Sequence, residues 1–173
     1  MITTATSSQT KHEAMIAAWD ANCLHDKRLK LLIAPESFVA AQDIALASGK
    51  VVGRGTRVFD WDTAKALSDE GKFGNGWRLP TKKEAECLAD KAHLLSRTVR
   101  PGYVSPNDMF VCRHAPEYTD KRILNPNSVF FWTSTEENEM YAYFAEIIGV
   151  KTFSANASMC KSFGLSILCV KDT

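Results

Sequence analysis

The chain has 173 residues, which suits one domain, or one domain with a small appendage. Apolar residue types make up 45% of it and aromatic residues 10%. That is enough for a buried core and excludes a disordered or collagen-like chain. The 21 Lys and Arg side chains nearly balance the 20 Asp and Glu, for a formal net charge of +1. This balance gives no reason to expect a nucleic-acid partner.

The apolar runs are short, and none approaches the roughly 18 residues that a membrane helix needs, so we expect no membrane insertion. The first 26 residues lack a basic segment followed by an unbroken apolar run, so we also expect no cleaved export signal. The cysteines are odd in number, irregularly spaced and without a CxxC pair, which favours reduced thiols over a zinc site or a disulfide framework. They are Cys23, Cys87, Cys112, Cys160 and Cys169.

The N-terminal part of the chain has a pattern of its own. Residues 1–9 are rich in Thr and Ser and predict an extended arm. From Thr10 to Asp26 apolar residues recur at helical spacing, which predicts an amphipathic helix. We expect this segment, residues 1–28, to serve assembly, and residues 29–173 to form the main domain. The anchoring stripe predicted on the helix consists of Met15, Trp19 and Leu24.

Two further helices and an early strand are predicted downstream. The Leu29–Ala34 run is typical of a strand. Asp60 or Asp62 can cap a helix that runs through Leu67, which the glycines at 71, 74 and 76 then end. Thr81 and Glu84 have the spacing of a capping box, which predicts the start of another helix. Its predicted apolar stripe is Ala85, Leu88, Ala92 and Leu95.

The C-terminal half combines a long irregular segment with strands. Ser96 to Ser128 contains four prolines and no strong periodicity, and such long segments usually carry function. Helices early in the chain and antiparallel strands late in it indicate an α+β fold. The predicted strands are Val129–Thr133, Met140–Ile148, Lys151–Ser154 and Leu165–Val170.

Two sequence boxes carry a family resemblance. Gly76-Trp77-Arg78-Leu79-Pro80-Thr81 is followed by Glu84, and Phe131-Trp132-Thr133-Ser134-Thr135 comes before the Tyr141–Phe144 strand and Cys169-Val170-Lys171. This order resembles bacterial and phage domains built around a GWRLPT…E box and a (Y/F)W(S/T)ST box, which have the C-type lectin-like fold. The resemblance spans Arg57 to Lys171. It implies two helices packed on a twisted antiparallel sheet, with a long loop region.

The resemblance, together with residue type, suggests structural roles for the boxes. Large aromatic side chains can fill the space between helices and sheet. We expect Arg78 either to pair with a carboxylate or to project outward. The predicted core is Trp77, Leu79, Trp132, Tyr143 and Ile167.

The sequence also departs from the wider fold. The helix predicted at 60–67 has no cysteine to pair with Cys169, so we expect Cys169 to be an unpaired thiol. The calcium-binding members use Glu-Pro-Asn or Gln-Pro-Asp in the long loop, whereas Asn125-Pro126-Asn127 lacks the carboxylate. Calcium prefers several carboxylate and carbonyl oxygens. We predict no metal and no cofactor, although Asn127, Glu136 and Glu137 would be the least unfavourable calcium ligands.

The resemblance favours a non-enzymatic binding or assembly module without catalytic residues. Folds of this kind occur on phage tails and capsids, so we expect a virion protein assembled in the host cytoplasm, forming homo-oligomers and contacting virion proteins or a host receptor, either glycan or protein. The alternatives are a bacterial ligand-binding protein, cytoplasmic or at the cell surface, and an oxidoreductase of the formylglycine-generating type. The candidate ligand contacts on the loop Val99–Ser128 are Tyr103, Asn107, Arg113, Tyr118, Asn125 and Asn127.

Overall fold

The computed structural model describes residues 6–35, 59–88, 128–148 and 152–173. Within these ranges the fold combines helices with two small antiparallel sheets, which confirms the predicted α+β class. The elements in chain order are α1 (Thr6–Asn22), β1 (Leu24–Asp26), β2 (Leu31–Ile33), α2 (Trp61–Asp69), α3 (Lys82–Cys87), β3 (Ser128–Glu136), β4 (Tyr141–Ile148), β5 (Thr152–Cys160) and β6 (Val170–Asp172).

The first sheet joins the two ends of the described chain. Its strand order is β1-β2-β6, so β2 pairs with β1 on one side and with the C-terminal strand on the other. The β1–β2 turn is held by Asp26, whose Oδ1 accepts hydrogen bonds from the main-chain nitrogens of Arg28 and Leu29. β2 confirms the strand predicted at Leu29–Ala34. The helix predicted from Thr10 to Asp26 instead runs from Thr6 to Asn22, so residues 6–9, expected in the arm, are helical, and Leu24 lies in β1.

Both downstream helices begin where the sequence predicts. Asp60 caps α2 by accepting a hydrogen bond from the main-chain nitrogen of Thr63 at 2.8 Å. The Gly71, Gly74 and Gly76 backbones that follow have φ angles of 66°, 75° and 80°, which is the region that favours glycine. Thr81 and Glu84 form the predicted capping box at the start of α3. Ala85 and Leu88 are buried as predicted, while Ala92 and Leu95 lie outside the described residues.

The second sheet has the strand order β3-β4-β5. Three of the four predicted C-terminal strands are present there, although Lys151 lies outside the described residues. The fourth, Leu165–Val170, is mostly wrong, because only Val170 belongs to a strand, β6. Leu165 and Ser166 instead form isolated bridges, to Phe59 and to Phe131.

Two apolar clusters lie on opposite faces of the second sheet. Trp132 and Phe144 belong to the larger cluster, and their neighbours Phe131 and Ala145 belong to the smaller one, together with Ala85 of α3. Successive side chains of a strand point to opposite faces, so this sheet is packed on both sides. Helix α3 and the first sheet therefore share the smaller cluster.

Four of the five predicted core residues are buried: Trp77, Leu79, Trp132 and Ile167. The prediction for Tyr143 is wrong, since this residue is only partly buried. Its neighbours Ala142 and Phe144 point into the larger cluster, so Tyr143 faces the other side of the sheet. There its ring lies 3.9 Å from the Nζ atom of Lys82 at the start of α3.

Helix α1 packs into the core of the main domain. Trp19 is fully buried and Ile16 nearly so, both within the larger cluster, while Met15 packs against its margin. Leu24 packs against the smaller cluster from β1. Trp19, expected in the anchoring stripe for assembly, is instead buried against its own domain and so is not available to contact another chain. The expected division at residue 28 stays a prediction, although α1 contributes side chains to the same core as residues 29–173.

Candidate functional site

The two sequence boxes meet at a hydrogen-bonded junction. The main-chain nitrogen of Ser134 donates to the carbonyl oxygen of Pro80 at 2.8 Å, and that of Lys82 donates to Thr135 Oγ1 at 2.9 Å. The register of β3 against β4 shifts between Trp132 and Glu136, so this stretch of β3 bulges. A bulge re-aims the strand locally, and here it brings the second box onto the residues that begin α3.

Two indole nitrogens fix the junction from the inside. Trp132 Nε1 donates a hydrogen bond to the carbonyl oxygen of Phe59, and Trp61 Nε1 donates one to the carbonyl oxygen of Thr133, each at 2.8 Å. All four residues are buried. A buried carbonyl oxygen needs a hydrogen-bond donor, and the indole nitrogen supplies one, so tryptophan is favoured over other aromatic residues at both positions.

Arg78 pairs with carboxylates, the first of the two outcomes expected from sequence. Its guanidinium binds Glu84 through two hydrogen bonds of 2.9 and 2.8 Å and reaches Asp172 at 2.7 Å. Burial opposes ionisation of Glu84, but the hydrogen bonds from Arg78 and Thr81 outweigh it and lower the pKa of this carboxyl. The hydrogen bond to Glu84 likewise raises the pKa of Arg78. This network joins the first box to β6.

Asp20 on α1 forms a second polar centre. Its carboxylate accepts hydrogen bonds from Asn75 Nδ2 at 3.0 Å, Trp77 Nε1 at 3.1 Å and Lys171 Nζ at 3.0 Å. The hydrogen bonds from Asn75 and Lys171 lower the pKa of Asp20. One side chain thus connects α1, the glycine-rich turn and β6.

The β3–β4 hairpin carries the two glutamates considered as calcium ligands. Glu136 forms an ion pair with Lys161, whose ammonium also lies 4.5 Å from the centre of the Trp61 ring. The Tyr143 hydroxyl lies 3.5 Å from Glu137 Oε1. Among the residues that the structure describes, no group of three or more His, Cys, Asp or Glu side chains is arranged to hold a metal ion.

The cysteines differ in exposure. Cys23, Cys87 and Cys169 are free thiols, the buried Cys160 has its Sγ 3.2 Å from Ser162 Oγ, and Cys112 lies outside the described residues. Burial raises the pKa of the Cys169 thiol well above its ordinary value. A raised pKa keeps a thiol protonated and unreactive, so Cys169 has the character of a core residue.

The predicted ligand contacts on the long loop lie outside the described residues, as does Ser96 to Asn127 as a whole. They are Tyr103, Asn107, Arg113, Tyr118, Asn125 and Asn127. None of the helices that the structure describes is long and apolar enough to cross a membrane. The described part of the candidate site consists of the junction between the two boxes, the Arg78 network and the Asp20 centre.

Comparison with known proteins adds no assignment. No protein-family model matches the chain, and no curated protein matches it either.

The structure assigns roles to Asp20 and Lys171 that sequence reasoning missed. Asp20 lies in the predicted N-terminal helix and Lys171 closes the order that carries the family resemblance, but they stand 151 positions apart, so no local signal could have paired them.

Proposed function

We propose that this protein is a non-enzymatic binding and assembly module with a C-type lectin-like fold, and that it serves as a structural protein of a phage particle. The observation that carries this proposal is the junction between the two boxes. The main-chain nitrogen of Ser134 donates to the Pro80 carbonyl oxygen, and that of Lys82 donates to Thr135 Oγ1. Both boxes therefore contribute to one structural scaffold. Such a scaffold leaves recognition to the segment that connects the boxes.

The chemistry of the described side chains supports a binding role. Arg78 is hydrogen-bonded to both Glu84 and Asp172, and Asp20 already accepts three hydrogen bonds. Polar groups committed in this way stabilise a fold and are not free to act on a substrate. We place ligand contacts on the loop Val99–Ser128, with Tyr103, Arg113 and Tyr118 as its largest side chains among the candidates.

The oxidoreductase alternative needs a pair of reactive thiols. Cys160 and Cys169 are both buried, and burial raises the pKa of Cys169. A nucleophilic or copper-binding cysteine is instead favoured by an accessible, lowered-pKa environment. The described thiols therefore favour the binding proposal over this alternative.

A glycan array tests the binding role. The full chain is compared with a triple variant, Tyr103→Ala, Arg113→Ala and Tyr118→Ala, and with Lys83→Ala, a matched control at an exposed position of α3. We expect the triple variant alone to lose binding, with an unchanged melting temperature. Equal binding by all three proteins, or copper-dependent oxidation of a cysteine in the absence of glycan binding, would contradict the proposal.

Native mass spectrometry of the full chain tests the setting in a particle. A stable homo-oligomer or a tight complex with another virion protein is expected for a component of a phage particle. A chain that stays monomeric and still binds glycans would favour the bacterial ligand-binding protein instead.

A further inference from the structure

The turn that leads from α2 into the first box contains an Asn-Gly pair. Asn75 is the single asparagine of the sequence that precedes a glycine. The main-chain nitrogen of Trp77 donates to the carbonyl oxygen of Gly74 at 2.9 Å, so Asn75 and Gly76 are the two central residues of a closed turn. Their φ angles are 49° and 80°. Positive φ at both central positions is the pattern of a type I′ turn, for which Asn-Gly is a preferred pair.

This turn brings two groups that can react with each other to the surface. Asn75 and Gly76 are both exposed. The nitrogen of the third turn residue takes no part in the closing hydrogen bond, and within the described ranges the Gly76 nitrogen donates to no main-chain carbonyl. Gly76 has no Cβ to obstruct the approach of the preceding side chain. Its nitrogen is therefore a nucleophile adjacent to the carboxamide carbon of Asn75.

We propose that Asn75 is a site of spontaneous deamidation and that Asp20 restrains the rate. The Gly76 main-chain nitrogen gives its proton to solvent base and forms a bond to Asn75 Cγ. The Cγ–Nδ2 bond breaks, and Nδ2 leaves as ammonia with a proton taken from water. A second water molecule opens the resulting succinimide at either carbonyl carbon, which gives aspartate or isoaspartate. Water is the only co-reactant, nothing is oxidised or reduced, and the site is independent of the ligand proposed for the long loop.

Asp20 opposes this reaction in the folded chain. Its Oδ2 accepts a hydrogen bond at 3.0 Å from Asn75 Nδ2, which is the leaving nitrogen. Hydrogen bonds from Asn75 and Lys171 lower the pKa of Asp20, so near neutral pH the carboxylate is ionised and can only accept. It therefore holds the carboxamide in place and does not supply the proton that the departing nitrogen needs.

The product disturbs the polar centre that Asp20 forms. Deamidation puts a second carboxylate beside Asp20, so a hydrogen bond is replaced by repulsion between like charges. Isoaspartate also adds a methylene carbon to the main chain of a turn that is closed by Trp77, a buried core residue. The modification should thus loosen the connection between α1 and the first box, and Asn75→Asp should have a lower melting temperature than wild type.

Incubation of the full chain in mildly alkaline buffer, followed by peptide mapping with mass spectrometry, tests the site. Asn75 should deamidate faster than Asn22 and Asn138, which are exposed and precede Cys and Glu. Asp20→Ala should raise the native rate at Asn75 about fivefold or more, because it removes a hydrogen bond to a charged group. Lys171→Ala is the matched control and should have a smaller effect, since Lys171 binds Asp20 through Oδ1 and not through the Oδ2 that holds Asn75.

The denatured chain provides a second measurement. In urea, wild type and Asp20→Ala should deamidate at the same rate, and faster than native wild type, because the Asp20 bond exists only in the folded chain. Deamidation at Asn75 no faster than at Asn22 and Asn138 would overturn the proposal, as would equal native rates for wild type and Asp20→Ala or equal acceleration by Lys171→Ala. If Asp20→Ala does not fold, wild type alone decides, since a native rate equal to the rate in urea would also overturn it.

Discussion

Trp19 of α1 packs edge-on against Trp77 of the first box, with ring centroids 5.5 Å apart and an interplanar angle of 73°. Both rings are buried, and the neighbouring Asp20 accepts a hydrogen bond from the Trp77 indole nitrogen. Aromatic pairs in this geometry are favourable beyond the area they bury. The N-terminal helix is therefore part of the structure that holds the first box in place.

This contact predicts that the N-terminal helix is required for folding. Trp19→Ala should lower the free energy of unfolding by about 3–5 kcal/mol, because it leaves a cavity against Trp77. Deletion of residues 1–26 should abolish the cooperative transition altogether. Urea denaturation followed by circular dichroism measures both effects. Ala18→Ser, at an exposed position next to Trp19, is the control and should stay within about 0.5 kcal/mol of wild type. A truncated chain that unfolds cooperatively would contradict the prediction.

The hydrogen bond from the Trp132 indole nitrogen should stabilise the folded chain separately from the packing of the ring. Trp132→Phe keeps an aromatic ring but removes the indole donor to the Phe59 carbonyl oxygen, which retains its hydrogen bond from the main-chain nitrogen of Leu165 at 3.0 Å. The loss should cost about 0.5–1.5 kcal/mol beyond lost packing. Trp132→Ala should cost more, about 3–5 kcal/mol. Thermal and urea denaturation measure the series. Tyr143→Phe provides the comparison, since the Tyr143 hydroxyl lies in an exposed position, and little change is expected. Equal stability of wild type and Trp132→Phe would argue against the bond.

The Arg78–Glu84 pair predicts a pH dependence of stability. The pKa of Glu84 is lower in the folded chain than its ordinary value of 4.5, so the folded state favours the ionised carboxylate. Its stabilising contribution is complete above the unfolded pKa and is lost as the pH falls through the folded pKa. Glu84→Gln should therefore be less stable than wild type near neutral pH, and the difference should shrink below about pH 4. Urea midpoints across this range measure it.

Glu70→Gln is the control for this titration. Glu70 is exposed and forms only a long ion pair, 3.9 Å, with Lys72, so its substitution should have a small effect at every pH. A gap between wild type and Glu84→Gln that stays constant down to acid pH would show that the carboxylate charge is not responsible.

The thiols should react in order of their exposure. Cys23 and Cys87 are partly exposed, whereas Cys169 is fully buried and its pKa is raised. Alkylation of the native protein, followed by peptide mapping, should label Cys23 and Cys87 much faster than Cys169. Denaturation should make all of them reactive at similar rates. Labelling of Cys169 as fast as Cys23 in the native protein would be inconsistent with its place in the core.

Signals confined to a few neighbouring residues were sufficient for the local structure. Asp60, one of the two caps considered for α2, and Thr81, the predicted cap of α3, both accept the expected main-chain hydrogen bonds. The hairpin of β3 and β4 and the burial of Trp77 and Trp132 also followed from the sequence. Caps and turns depend on atoms within about four residues of one another, and the alternation of a strand depends on period two, so the sequence by itself determines them.

Other features depended on contacts that no local pattern records. Tyr143 was expected in the core, but the pairing of β4 turned it toward Lys82. Trp19 was expected to anchor an assembly, but its burial against Trp77 was decided by packing between segments 58 positions apart in the chain, from residue 19 to residue 77. The pairing of β2 with β6 and the bond from Lys171 to Asp20 join opposite ends of the described chain. Hydrophobic contact is non-directional, so a stripe of apolar side chains specifies burial without specifying the partner. Only the tertiary structure decided which surface each stripe covers.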